Sequence, residues 1–328
     1  MTDAEGSSSA RVLLVAPFDH VLNAHSSLRQ RALERLGCSV RPFNLLGGVG
    51  WLRRFRRRDR ATRLARVLSK NRFDAVIVVG SRTFRADDVH WLRRGDDCRW
   101  LWWSPDALPD GPSVDDTVRA YDHVFVGGTD VAAALTQRVG RSVHYLPPAC
   151  DPSFHRPLRS RDRFRANVVF AGRASPRREA LLAEVVEFGL AVWGRGWRGT
   201  ALRPYCRGER LSDLDYVRAY AGASVALNIH RESSQSAWNA GCNQRVFELA
   251  AMGAAQVVDR RQDTELHFVR KKELMEFEDA GMLKESVRAL LHDPPAAEAM
   301  GHSARTVALA EHTYMHRMVE LLRTADLC

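Results

Sequence analysis

No apolar run in this chain approaches the roughly 20 residues needed to span a bilayer. The longest, Val12 to Phe18 and Ala75 to Gly80, are strand-sized. The first ten residues are rich in Ser and Gly and lack the basic and hydrophobic parts of a secretory signal, so they read as a disordered tail. The six cysteines (38, 98, 150, 206, 242 and 328) form no C-x-x-C pair and have no clustered histidines beside them. Neither a zinc site nor a disulfide framework is signalled, and a reducing cytoplasm is the expected location. Also missing are a G-x-G-x-x-G fingerprint, a phosphate-binding G-x-x-x-x-G-K-[ST] loop and any short internal repeat.

What is present is an ordinary globular composition, 45% hydrophobic and 27% charged, spread over 328 residues, a length that suits two domains. The formal charge is +10. Its densest part runs from Trp51 to Arg66 with partial helical periodicity through Leu64, Val67 and Leu68. A solvated helix face, docking of an anionic acceptor, or peripheral contact with a membrane surface through Arg53–Arg66 all fit such a helix, and nothing in it singles out nucleic acid.

Strand and helix signals alternate along both halves. In the first, strands are expected at Arg11–Pro17, Ser39–Phe43, Asp74–Gly80, Arg99–Ser104, Tyr121–Gly127 and Val143–Leu146. Helices are expected at Ser26–Leu36, Ala86–Arg94 and from an Asp130 cap to Val139. The segment 147–157 holds four prolines and no periodicity, and is read as a linker. The alternation then restarts with strands at Asn167–Gly172, Ala191–Gly194, Val225–His230 and Ala255–Asp259. Helices follow at Arg177–Phe188, Leu214–Ala221 and Gln244–Met252, with three more near the end, 284–291, 296–309 and 313–325. The pattern predicts α/β architecture, two Rossmann-like parallel-sheet domains facing a central cleft, with a helical C-terminal end. The boundaries expected are 1–10 for the tail, 11–150 and 151–310 for the domains, and 311–328 for a last helix returning to the N-terminal domain.

Two segments carry chemistry. The run Val169-Phe-Ala-Gly172-Arg173-Ala-Ser175-Pro176-Arg177-Arg178 takes a strand through glycine and arginines into a helix. Glycine admits an anion close to the backbone, the helix start offers free N–H groups, and arginine matches phosphate oxygens. In Asn243-Gln-Arg245-Val-Phe247-Glu248-Leu-Ala-Ala251-Met-Gly253, Arg245 and Glu248 share a helix face. A cation in the first turn opposes the helix dipole and points to a bound anion, and a carboxylate one turn on can accept hydrogen bonds from a ribose diol. Asp213-Leu-Asp215 imitates a metal-binding D-x-D pair, but Ser212 or Asp213 reads better as a helix cap. Trp193 and Trp197 fit either a stacking platform or the core. A base able to deprotonate an acceptor is sought where strands end in the first half. Asp106, after Trp100–Trp103, comes first, with Asp19, His20 and His25 as alternatives.

The run Asn228-Ile-His230, then Asn243-x-Arg245-x-Phe247-Glu248-x-x-Ala251-x-Gly253 and Val257-Val-Asp259, resembles the C-terminal domain of CgeB-type (spore-maturation) glycosyltransferases of GT-B fold. Phe170-Ala-Gly172, Val192-Trp-Gly194-x-Gly196-Trp197 and Glu311-His-Thr-Tyr314-x-x-Arg317 are similar to that family as well, while Trp102-Trp-Ser-Pro-Asp106 and Tyr121–Val126 match more loosely. The resemblance implies transfer of a sugar from a UDP-, GDP- or dTDP-sugar, without a bound metal or other cofactor, to an unidentified acceptor, an anionic one included. It implies Gly172 and Arg173 under the phosphates, Arg245 near the diphosphate, Glu248 on the ribose or sugar, Asn228 and Asn243 lining the pocket, and Tyr205 near the nucleobase. A nucleotide-sugar epimerase and a non-catalytic basic protein that binds nucleotide sugar or polyanion are the competing readings.

Overall fold

The computed structural model describes residues 9–18, 25–46, 57–80, 84–93, 97–105, 108, 110–231 and 238–327, with the side chains of 57–59 set aside. The expected tail, Asp19, His20, Asp106 and the first part of the basic segment, Arg53 to Arg56, therefore lie outside the described residues. The chain divides into two units. Unit 1 comprises residues 1–147, 235–238 and 314–328, and unit 2 comprises 148–234 and 239–313.

Unit 1 runs β1 (Arg11–Ala16), α1 (His25–Arg35), β2 (Ser39–Asn44), α2 (Arg57–Leu68), β3 (Ala75–Val79), α3 (Ala86–Leu92), β4 (Arg99–Ser104), α4 (Pro112–Ala120), β5 (His123–Val126), α5 (Thr129–Val139) and β6 (His144–Tyr145). The strands pair in parallel in the order β2-β1-β3-β4-β5-β6. The central ones are apolar throughout because helices cover both faces, and β3, Ala-Val-Ile-Val-Val, is buried at every residue. Pro42 is tolerated because β2 is an edge strand. One expectation fails at α5. Gly128 occupies the cap, and Asp130 sits inside the first turn, where its charge still complements the helix dipole.

Unit 2 runs β7 (Ala166–Ala171), α6 (Pro176–Ala183), β8 (Leu190–Trp193), β9 (Cys206–Gly208), α7 (Asp213–Ala221), β10 (Ala223–Asn228), α8 (Gln244–Met252), β11 (Gln256–Asp259), β12 (Met275–Phe277), α9 (Ala280–His292) and α10 (Pro294–Glu311). Its parallel sheet has the order β12-β11-β10-β7-β8-β9. The expected helix to Phe188 stops at Ala183, and a 3-10 turn at Val186–Phe188 carries the chain to a left-handed Gly189. Helix α8 is buried from Val246 to Met252. Its small residues let α10 approach so closely that a side chain at Gly301 would overlap the Gly253 carbonyl.

The last helix, α11 (Tyr314–Thr324), belongs to unit 1 and packs against α1. Arg317 Nε donates to the Pro147 carbonyl at 3.0 Å, fixing where this helix starts. No described helix is long and apolar enough to cross a membrane.

Candidate functional site

In unit 2 the chain leaves β7 toward β8 on one side, while β10 lies on the other, so β7 and β10 flank the point where strand order reverses. Ligands of open parallel sheets bind beyond the carboxyl ends of such a pair. The last β7–β10 partners are Val169 and Ala226, although the strands continue to Ala171 and Asn228. Where they part, the Ala171 N–H donates to the Tyr220 hydroxyl at 3.0 Å instead of to a strand.

Two helix starts face this opening. Ser175 caps α6, accepting from the Arg178 N–H, and Asn243 caps α8, accepting from the Val246 N–H. The turn after β7 is locked. Gly172 N–H donates to the Trp193 carbonyl at 2.8 Å, and Trp197 Nε1 donates to the Gly172 carbonyl at 2.7 Å. Gly194, at φ +139°, leaves room for that carbonyl; a Cβ there would overlap its oxygen and lie 2.6 Å from its carbon. Trp193 and Trp197 are thus core residues, 3% and 0% exposed, and Trp197 holds the turn from beneath.

Two guanidinium groups meet the ring of the fully buried Phe170. Arg178 lies 5.3 Å and Arg245 5.7 Å from its centroid. Arg178 Nε and Nη2 donate to the Ile229 carbonyl at 3.2 and 2.6 Å, and Nη1 donates to the Arg173 carbonyl at 3.0 Å. Burial, with Arg245 adding like-charge repulsion, lowers its pKa to about 10. Burial also works against the charge on Arg245, but Tyr220, Tyr216 and Glu248 outweigh it and raise this pKa above the ordinary arginine value. Arg245 Nη1 reaches Asn228 Oδ1 at 3.5 Å, and its Nε is buried with no hydrogen-bond partner.

The floor is a polar lattice. Asn228 and Asn243 exchange amide hydrogen bonds at 3.1 and 2.9 Å, joining the end of β10 to the start of α8. His230 Nε2 accepts from the Asn243 N–H at 3.0 Å, which leaves Nδ1 as the protonated nitrogen, donating to Asp259 Oδ1 at 2.6 Å. Burial lowers the His230 pKa, and the imidazole is neutral. Burial alone would raise the Asp259 pKa, but the His230 hydrogen bonds and the nearby Arg261 overcome it and hold the carboxylate well below its usual range. Arg177 also pairs with Asp259 at 2.9 Å. Glu248, 4% exposed, accepts the Tyr216 hydroxyl at 2.6 Å and lies 3.5 Å from His155 Nε2.

The structure therefore gathers Gly172, Asn228, Asn243 and Arg245, and Glu248, held by the Tyr216 hydroxyl, is near enough for its charge to act on Arg245. The Arg173 side chain is exposed, and only its carbonyl joins the set. Tyr205 packs on the core ahead of β9. The buried arginine missing from the expected set is Arg178. The sequence did not set it apart from Arg173 and Arg177, because its inward direction depends on the helix phase that the Ser175 cap fixes. Ser212 caps α7 through the Asp215 N–H at 3.2 Å, and Asp215 pairs with Arg163 and Arg218, so Asp213-Leu-Asp215 starts a helix. In unit 1, His25 Nδ1 lies 3.1 Å from the Tyr314 hydroxyl.

Residues 177–323 match a family model described as glycosyl transferase-like. Spore protein CgeB of Bacillus subtilis (strain 168) is 22% identical over 200 residues, 56% of this chain and 62% of that protein. The match thus spans about 62% of the curated relative's length. Among solved structures, sucrose-phosphate synthase from Thermosynechococcus elongatus superposes with TM-score 0.72 at 13% identity, covering 96% of this chain and 98% of the other. A glycosyltransferase from Rickettsia africae gives 0.70 at 11% identity over 97% and 98%. HepE from Anabaena, in complex with UDP and glucose, gives 0.65 at 11% identity over 97% and 100%.

Proposed function

We propose, for a chain of GT-B fold that matches a glycosyl transferase-like model over residues 177–323 and is similar to CgeB, that it moves a sugar from a nucleotide-activated donor to an acceptor. Unit 2 holds the donor diphosphate at the β7–β10 opening. The observation that carries this reading is the pair of cations, Arg178 buried and Arg245 half-buried, on one aromatic ring between two helix starts. Like charges are costly to bury together, and a dianion between them removes that cost. As the glycosidic bond breaks, negative charge grows on the leaving phosphate, and fixed cations and helix N–H groups aimed at it stabilise the transition state without reorganising. That is the work a divalent cation does in other transferases, so the reaction is expected to proceed in the presence of EDTA.

Gly172 and the Arg173 backbone lie under the phosphates in this reading, and Asn228 and Asn243 hold the start of α8 in place. Glu248 takes donor hydroxyls on the sugar side, exchanging the Tyr216 hydroxyl for them. UDP is the first nucleotide to test, because HepE binds it on a similar fold, with GDP and dTDP as alternatives. Acceptor binding is assigned to unit 1, with Asp106, just after β4, as the proposed base for an inverting reaction and Asp19 and His25 as alternates. The test is calorimetric titration of the full chain with UDP, GDP, dTDP and their glucose conjugates, followed by a search for transfer with the nucleotide that binds. Saturable binding of one nucleotide supports the reading, and absence of binding of all three at millimolar concentration refutes it.

A further inference from the structure

Unit 1 contains a further buried cation, Arg29, in an unusual setting. Arg29 lies on α1, whose start is tied to the end of β1 by the Ser26 hydroxyl donating to the Pro17 carbonyl at 2.8 Å. Arg29 is only 6% exposed. Its guanidinium carbon sits 4.8 Å from the ring centroid of Trp103, near the carboxyl end of β4, and 5.2 Å from that of Tyr314. Its Nε is buried and has no hydrogen-bond partner. One turn earlier on the same helix face is His25, which meets the Tyr314 hydroxyl at 3.1 Å.

An arginine in the core ordinarily pairs with a carboxylate or spends its N–H groups on carbonyls, as Arg317 and Arg178 do in this chain. Arg29 has two aromatic faces and no carboxylate among the described residues. Ring contacts hold a guanidinium in place and orient its plane, but they leave its in-plane donors free. Those donors fit the oxygens of an oxyanion, and α1 and β4 place the group at the carboxyl-end edge of the sheet, where ligands of such sheets bind.

We propose that Arg29, held between Trp103 and Tyr314, is the docking point for an oxyanion, a carboxylate or phosphate carried by the acceptor. That the anion belongs to an acceptor rests on the transferase reading above; the anion site itself does not.

The full chain is titrated at constant ionic strength with inorganic phosphate and with acetate, following tryptophan fluorescence and thermal unfolding, with UDP titrated in parallel. The expected result is a saturable response to at least one anion that weakens tenfold or more in Arg29→Met and persists in Arg245→Met, which controls for binding in unit 2. The tighter of the two anions identifies phosphate or carboxylate as the recognised group. Arg29→Met is also expected to unfold at no lower temperature than the parent, because it removes an unpaired buried charge. If that variant fails to fold, Arg29→Lys keeps the charge and loses the planar fork, and its anion affinity should fall at least fivefold. No saturable response to either anion, or the same affinity in the Arg29 variants, overturns the proposal. Loss of UDP binding by the parent chain, with the anion response intact, removes the transferase reading and leaves the anion site standing.

Discussion

Replacing Arg245 with methionine separates a site for anions from a merely structural arginine. Because Arg178 and Arg245 lie 5.3 and 5.7 Å from one ring centre, their guanidinium carbons are at most about 11 Å apart. At an effective dielectric of about 20, two unit charges at that distance repel by ~1.5 kcal/mol or more. Methionine relieves this repulsion but loses a ring contact of about 0.5–1 kcal/mol and the long hydrogen bond to Asn228, about 0.5–1.5 kcal/mol. These terms oppose each other, so the free protein should keep its stability within about 1.5 kcal/mol. Nucleotide binding is not offset in this way. A charge-assisted contact to phosphate contributes about 1.5–3 kcal/mol, so UDP affinity should fall about 10- to 150-fold. Calorimetric titration with UDP and urea denaturation of the same two proteins measure both quantities. A variant that loses more than about 3 kcal/mol of stability while binding UDP as the parent does would refute the reasoning, because Arg245 would then be a core residue and no part of a phosphate site.

Other consequences follow from the same geometry. Gly194→Ala puts a methyl group into the Gly172 carbonyl at φ +139°, and should cost about 3 kcal/mol or more and weaken UDP binding; denaturation within about 0.5 kcal/mol of the parent contradicts the close approach. His230 and His155 have pKa values lowered chiefly by burial. Unfolded, they take up protons through about pH 6.5, whereas folded they resist until lower pH. Stability is therefore complete above that pH and falls as the pH drops below it, by up to about 1.4 kcal/mol per group per pH unit. Urea midpoints at pH 7.5 and 5.5 check this, and His230→Asn should flatten the dependence. That comparison isolates His230 from Glu276 and Glu320, whose carboxyls are raised by burial and act with opposite sign. Sugar transfer, once the donor is identified, should survive EDTA; an absolute requirement for a divalent cation would show that Arg178 and Arg245 do not suffice.

The strands of both sheets were legible because parallel strands covered on two faces are written as short apolar runs, as Leu13-Leu-Val15 and Val76-Ile-Val-Val79 are. Strands β9 and β12 escaped, being three residues long and at sheet edges, where half-exposed residues such as Cys206 and Met275 give no such run. Arg245 and Asn243 were visible as a cap and a misplaced charge at a helix start, and the structure puts both at the opening. Arg178 was not separable from Arg173 and Arg177, because direction of a side chain depends on helix phase, and that phase is set by Ser175 and Pro176. The His230–Asp259 pair joins residues 29 apart in the chain, and only the alignment of β10 with β11 brings them together. Arg29 carried no signal, since its isolation is a property of the rings around it.

Hydrogen–deuterium exchange of the full chain, with and without saturating UDP, tests the central claim most directly. The account predicts slower exchange in peptides covering 172–178 and 243–248, the turn and the two helix starts proposed to meet the diphosphate, with the amino ends of β7 and β10 unchanged. Bound UDP that leaves these two segments untouched, or protects only unit 1, would contradict it.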